Sequence, residues 1–402
     1  MAREKMKKQF LIYLGMLALI ASFGSGLVIG EELMRKKYLA QEEINQLKER
    51  TDLNIVFETW KKLNEKFVGQ LPKDQNMVYG MVKGMTNELD DPYTAFFEPE
   101  KAKQFKEDLK GSFEGIGAEI GIKNNVLIIV SPIEDTPAAK AGLRPGDKIL
   151  KINDEETTNL ELDEAIARIR GKKDTQVKLL IMSEDDLIPR EVEITRNIID
   201  VKSVKWEMKE DDIAYIRLVG FSEDTIGEFT EVVRNVKEYK AKKIILDVRG
   251  NPGGYLETAV DAASFFLPPK TLVVKEDFGG KKPASEYGTT YRPVLDTYPL
   301  VVLIDQGSAS ASEILAGALS EQKGAKLIGV KTYGKGSVQE FIPFESGATL
   351  KVTVAEWLTP KGKSINKEGI SPDIEVKITA EDIKEKRDPQ LDKAIEEIKN
   401  LK

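Results

Sequence analysis

The chain has 402 residues, room for two or three structural units, and its 67 acidic against 60 basic side chains give a formal charge of −7. That mixed, slightly acidic balance argues against a nucleic-acid surface. Histidine and cysteine are both absent, which excludes a Ser-His-Asp triad, a thiol nucleophile, zinc held by imidazole or thiolate, and lipid attachment through an N-terminal cysteine.

Arg3, Lys5, Lys7 and Lys8 precede a charge-free run over 9–30. Its apolar part, residues 10–29, is long enough to span a bilayer. The basic flank predicts a cytoplasmic tip, with the rest of a single-pass cell-membrane protein on the extracytoplasmic side. The rival is a cleaved signal peptide and a secreted product, for which the run is long and only Ser22-Phe23-Gly24 offers a weak cleavage site. Residues 31–50 are charged and helical in tone, a stalk. Leu53, Phe57, Trp60, Leu63 and Phe67 recur at helical steps until Pro72 breaks the pattern. Residues 76–89 predict a second helix with Met77, Met81, Val82, Met85 and Leu89 inward. Together they read as a helical cap on the main body, or as a dimerisation element. Asp90-Asp91-Pro92-Tyr93 is a turn; its two carboxylates suggest a metal or acid chemistry, but Asp-Pro turn initiation with packing of Tyr93, Phe96 and Phe97 accounts for it. A short charged helix follows over 99–110.

Residues 111–196 form a second module. Gly115-Ile116-Gly117-Ala118 leads into a strand, and residues 126–130 give another. A short helix over 137–141 and a tight Arg144-Pro145-Gly146-Asp147 turn follow. Residues 148–152, 177–182 and 190–195 are strands, and Leu162, Ala165, Ile166 and Ile169 predict a helix closed by Gly171. In the third region, the strand over 213–218, the amphipathic helix over 224–239 and the buried strand over 243–248 predict a parallel pair with a crossover. Gly250-Asn251-Pro252-Gly253-Gly254 comes at the C-terminal end of that strand, where α/β folds place ligands. Residues 270–298 are polar and glycine-rich, a mobile excursion bordering the site. Asp388-Pro389 starts a last helix with Leu391, Ile395 and Ile398 on one face, to dock on the body or on a second chain.

The chemistry concentrates in 307–339. The apolar strand 300–304 runs into Gly307-Ser308-Ala309-Ser310-Ala311-Ser312 and then a helix. A small-residue turn at a helix N-terminus presents a hydroxyl beside outward-pointing backbone N–H groups, a setting for a serine nucleophile and its oxyanion hole. Ser308 and Ser312 rival Ser310, which is favoured because it stands where the turn meets the helix. With no histidine, the base falls to a lysine that burial can keep neutral. Lys335 between Gly334 and Gly336 is the candidate.

G-S-A-S-A-S-E at 307–313, then Gly334-Lys335-Gly336 and Gln339, resemble the C-terminal processing peptidases, or tail-specific proteases. D-D-P-Y-T-A-F-F at 90–97, D-V-R-G-N-P-G-G at 247–254 and G-I-S-P-D at 369–373 appear in the family's order. The segment 131–154 resembles a PDZ domain, and the match covers nearly all of the chain beyond residue 50. The resemblance implies Ser310 as nucleophile, Lys335 as general base and Gln339 orienting the lysine. The Ala311 amide and that of Gly253 or Gly254 would form the oxyanion hole. The Gly115-Ile116-Gly117 loop would hold a peptide's terminal carboxylate, with Arg168 on the groove helix sensing occupancy. The implied fold is α/β, a ClpP/crotonase-like protease core with an inserted PDZ domain, an N-terminal helical region and an N-terminal transmembrane segment. The expected divisions are 1–30 tip and anchor, 31–110 stalk and cap, 111–197 PDZ, 198–380 protease core and 381–402 C-terminal helix. The expectation is a membrane-anchored serine endopeptidase acting on proteins with accessible C-terminal tails, without metal or cofactor, as a monomer or homodimer. Two alternatives stay open: a catalytically silent membrane-tethered PDZ scaffold, and acyl-CoA chemistry on a crotonase-like fold.

Overall fold

The computed structural model describes residues 50–401 together with 42, 45 and 46, apart from 111, 124, 125, 134, 159, 161, 184–186 and 201. The apolar run 10–29 and nearly all of the stalk lie outside the described residues. Among those described, no helix is long and apolar enough to cross a membrane.

The chain divides into two units, one up to Val78 and one from Tyr79 onward. In the first, the helix Asn54–Lys66 has the predicted period, yet none of its residues is buried. In the second, Met81, Met85 and Leu89, expected to point inward, are 37%, 69% and 60% exposed. The helical spacing was correct, but a stripe is buried only where another apolar surface meets it.

The core of the second unit is a six-stranded sheet in the order Val204–Lys209, Ile213–Leu218, Lys243–Asp247, Leu300–Ile304, Lys326–Gly329, Ile374–Glu375. The first pair is antiparallel and the rest are parallel. Its central strands carry the apolar runs Ile244–Leu246 and Leu300–Ile304 because helices cover both faces. Alternate residues separate cleanly. Ile244 and Leu246 pack with Phe229, Val236, Ala259, Ala263 and Leu315 from the helices Thr225–Glu238, Leu256–Ser264 and Ala311–Ala318. Ile245, Val301 and Leu303 pack with Ala394 and Ile398 of the C-terminal helix Pro389–Asn400. Each fully buried aliphatic side chain contributes roughly 1.5–3 kcal/mol. The C-terminal helix starts as its sequence predicts: Asp388 accepts from the Leu391 amide at 3.0 Å, and Pro389 occupies the first turn. It docks on the body.

A second, five-stranded antiparallel sheet joins Ala95–Phe97, Ser337–Pro343, Thr349–Leu358, Leu272–Asp277 and Ser285–Gly288. The last two strands replace the mobile excursion expected over 270–298. Val273 and Val274 are buried, and the Gly279-Gly280 turn with its lysines masked a short hairpin. The module that precedes the core sheet in sequence is a six-stranded sheet, Ala118–Lys123, Val126–Pro132, Lys148–Ile152, Gln176–Met182 and Arg190–Thr195 in that order, with Glu155–Glu156 at its margin. The entering strand Ser112–Gly115 pairs antiparallel with the leaving strand Asn197–Asp200, so both crossings into the core run side by side.

Candidate active site

Ser310 caps the helix Ala311–Ala318 with φ 54° and ψ −115°. A residue with a Cβ is strained by roughly 1–3 kcal/mol there, and such strain persists only where its surroundings hold it. The rivals are spent on structure. Ser308 is fully buried and donates to the Val248 carbonyl at 2.8 Å; Ser312 is fully buried and donates to the Asn251 carbonyl at 2.9 Å. Ser310 is only half-buried and lines an open cleft of about 830 Å³ together with Lys335, Gln339, Ala311, Gly253 and Gly254.

The residue that joins these parts is Glu313, which lies on the same helix and has no solvent exposure. Its Oε2 accepts the Ser310 amide at 2.9 Å and the Lys335 amide at 3.0 Å; its Oε1 accepts the Gly334 amide at 2.7 Å and the Thr332 hydroxyl at 2.5 Å. The serine turn and the lysine loop thus hang on one carboxylate. Burial raises that carboxyl above its ordinary value, against the pull of the Thr332 hydroxyl and the three amides. Ser310-x-x-Glu313 is also a capping-box pattern, the sequence signal that would have singled it out. The lysine loop is pressed in from its other side, where a Cβ on Gly336 would stand 2.1 Å from the Asn366 nitrogen, so no larger residue fits.

Lys335 is half-buried, and burial lowers its amine below the usual lysine value while the Glu313 charge opposes the shift. Its Nζ lies 5.7 Å from the centre of the Tyr93 ring. In this conformation no hydrogen bond joins it to Ser310 Oγ. Gln339 donates from Nε2 to Ser337 Oγ at 2.8 Å, which leaves its carbonyl oxygen as the free acceptor.

The loop after the strand Lys243–Asp247 meets the serine turn directly. A Cβ on Gly253, whose φ is 104°, would fall 2.8 Å from Ser310 Cβ and 3.0 Å from the Ala311 nitrogen. Its amide already donates to Asn251 Oδ1 at 2.9 Å, so Gly253 contributes its lack of a side chain. The amides of Gly254 and Ala311 have no acceptor among the described residues; Ala311, in the first helical turn, has no carbonyl beneath it. Buried Asn251 anchors this loop through the Leu218 carbonyl at 3.0 Å. Arg249 fastens it from behind, bonding Asp247, Asp388 and Gln390, the last two at the start of the C-terminal helix. Sequence reasoning missed Glu313, for which the capping box was the available signal, and Arg249 and Asn251, whose work is revealed only by contacts distant in the chain.

In the module, Gly115 ends its strand opposite Asn197, and Ile116 is 2% exposed with its carbonyl accepting the Ala138 amide at 2.8 Å. The Gly117 carbonyl accepts the Ile133 amide and the Thr136 hydroxyl at 2.9 and 2.8 Å. The amides of Ile116 and Gly117 have no acceptor among the described residues. Arg168 lies on the helix Leu162–Ile169 and pairs with Glu155 and with Glu164, the latter at 2.7 Å. Two residues on, Arg170 stacks over Phe113 at 4.6 Å, and both line the cleft that holds Ser310.

Fold and cleft define a serine protease core joined to a peptide-binding module: the chain belongs to peptidase family S41, the carboxy-terminal processing proteases. The family model for peptidase family S41 matches residues 212–376, and that for the PDZ domain matches 104–182. The chain is 40% identical to the carboxy-terminal processing protease CtpA of Bacillus subtilis, an alignment covering 77% of this chain and 66% of that protein. It is 36% identical to the carboxy-terminal-processing protease of Bartonella bacilliformis, covering 90% of this chain and 83% of that one. Among solved structures it is similar to a photosystem II D1 C-terminal processing protease, with 28% identity and a TM-score of 0.52 over 79% of this chain and 86% of that one.

Proposed function

We propose that the protein is a membrane-held serine endopeptidase that takes the C-terminal tails of proteins into its PDZ groove and cuts them with Ser310 and Lys335. The observation that carries this is the sharing of Glu313: one buried carboxylate fixes the backbone of both residues at the edge of one cleft. Neutral Lys335, swung onto Ser310, takes the hydroxyl proton as Oγ attacks the peptide carbonyl. Catalytic contacts often close only around substrate, and the Gln339 oxygen is the acceptor that would orient the amine. The Ala311 and Gly254 amides receive the developing oxyanion. Protonated Lys335 then gives its proton to the leaving amine, and water, deprotonated by the same lysine, releases the acyl group.

The unoccupied amides of Ile116 and Gly117 support carboxylate capture at the tail's end. The basic cluster before residues 10–29 supports tethering, with the catalytic part outside the cytoplasm. The test is cleavage of a reporter with a free C-terminal tail. Ser310→Ala and Lys335→Ala should each abolish cleavage and leave tail binding intact. Cleavage by Ser310→Ala would refute the proposal.

A further inference from the structure

The cleft lining contains a buried carboxylate that the mechanism above does not use. Glu276 lies near the end of the strand Leu272–Asp277 and is only 8% exposed, yet it lines the cleft with Ser310. Strand alternation decides its surroundings. Lys275, on the opposite face, pairs with Glu286 of the adjoining strand at 3.0 Å. Glu276 shares its own face with Tyr287 and Trp357. The Tyr287 hydroxyl donates to its Oε2 at 2.8 Å, and the Tyr287 and Trp357 rings meet edge to face, 5.9 Å between centres. Burial and that hydrogen bond push the Tyr287 phenol up to about 12, so it stays the donor. No other donor and no cation binds Glu276 among the described residues. A carboxylate this buried is ordinarily paired.

The sheet register fixes how far this carboxylate stands from the chemistry. Trp357 is directly opposite Glu276, and on its other side its amide donates at 2.6 Å to the carbonyl of Gly336, the residue after Lys335. Two strand spacings, roughly 10 Å, therefore separate the backbone of Glu276 from the lysine loop, with Trp357 between them. Leu256, Val338 and Ile314, the last one turn along the helix from Ser310, add apolar surface to the same cleft. Exposed Glu257, in the first turn of the helix Leu256–Ser264, adds a second negative charge. The cations on the lining, Arg170, Lys202, Lys335 and Lys351, leave Glu276 unpaired. Arg170 is stacked on Phe113, and Lys351 stands six residues before Trp357 on its strand, roughly 20 Å along it.

We propose that Glu276 is a specificity-determining residue that receives a lysine or arginine side chain of the substrate beside the scissile bond. This rests on the reading of Ser310 and Lys335 as the catalytic pair. A long basic side chain has an apolar stem to lie along Trp357 and a charged head to reach the carboxylate beyond it. One neutral phenol compensates a buried carboxylate poorly, whereas an ammonium or guanidinium supplies both the opposite charge and the missing donors. A serine or threonine hydroxyl brings a donor without the charge and has a shorter reach.

The test is kcat/KM on tailed peptides that carry lysine, norleucine, serine or glutamate beside the cut, on each side of it in turn. Wild type and Glu276→Gln are compared, with thermal melting and tail binding as controls of fold. At one of the two positions the wild type should prefer lysine to norleucine by roughly ten- to a hundredfold, the strength of a hydrogen bond to a charged group. Glu276→Gln can still accept from Tyr287 and should bring the two peptides to within about threefold of each other. If that variant melts early, Glu276→Leu combined with Tyr287→Phe takes its place, since it removes both partners of the bond and strands neither. A wild type without the lysine preference overturns the proposal. A preference that survives in the charge-removing variants also overturns it, as does a preference for serine alone. Cleavage surviving Ser310→Ala or Lys335→Ala would instead sink the catalytic assignment, whatever Glu276 does.

Discussion

Glu313→Gln is the sharpest probe of how the site is held. The substitution keeps size and shape and exchanges one oxygen for an NH₂ group. If that group replaced Oε2, the Ser310 and Lys335 amides would both face a donor. The glutamine will therefore turn its NH₂ toward Thr332, whose hydroxyl can rotate to accept, and strand the Gly334 amide. One buried N–H without a partner costs about 1–3 kcal/mol, and the bonds that remain lose the assistance of a charge, together about 2–4 kcal/mol. Urea or thermal unfolding should register that loss. The lysine loop, slackened at Gly334, should shift by a fraction of an ångström, and kcat should fall at least about a hundredfold. A variant within about 0.5 kcal/mol of wild type that keeps more than a third of its kcat would refute the idea that Glu313 couples the two loops.

Four further outcomes are expected. Ser310→Gly should remove activity and raise stability by about 1 kcal/mol, because glycine accepts φ 54° without strain; an unfolding curve that moves the other way argues against stored strain. Gly253→Ala should cut kcat by about a hundredfold or more, since its methyl would meet Ser310 Cβ and the Ala311 nitrogen at the serine turn; full activity would show that the turn yields. Arg249→Met should destabilise by about 3–5 kcal/mol, leaving fully buried Asp247 without its counter-ion, as a melting series will reveal. Burial pushes the Asp388 carboxyl up, but hydrogen bonds led by Arg249 outweigh it and hold the folded value below the usual one. The stability this supplies is complete above about pH 4 and is lost as pH falls through the depressed value. Asp388→Asn should flatten that acid dependence of the melting temperature.

Much of this molecule was legible from periodicity. The core strands at 243–247 and 300–304 carry the apolar runs Ile244–Leu246 and Leu300–Ile304 because a parallel sheet is buried twice, and such runs announce themselves. Ser310 and Lys335 were legible because a small-residue turn and a glycine bracket are local patterns. The hairpin over 272–288 was hidden, since its turn residues outweighed two short strands. Met81, Met85 and Leu89 misled for the opposite reason: a helical stripe records the helix and is silent on what covers it. Gly253 shows the same limit at the site, because whether a glycine supplies its amide or its missing side chain depends on a neighbour such as Asn251.

What the pattern could not convey is where the chemistry draws its rigidity. Ser310 is strained, and Lys335 is an amine kept out of water, so each alone favours relaxing toward solvent. Neither sits within a strand or helix whose own ladder would hold it. The restraint comes from fully buried polar side chains, Glu313 between the two loops and Asn251 beneath the glycine loop, with Asp247 and Arg249 carrying the hold through to Asp388. Buried polar groups are favourable only when every partner is met, so each of these loops is fixed by the cost of leaving the others. That is why one cleft can keep a half-buried hydroxyl and a half-buried amine on its lining: moving either backbone would first have to strand a buried donor.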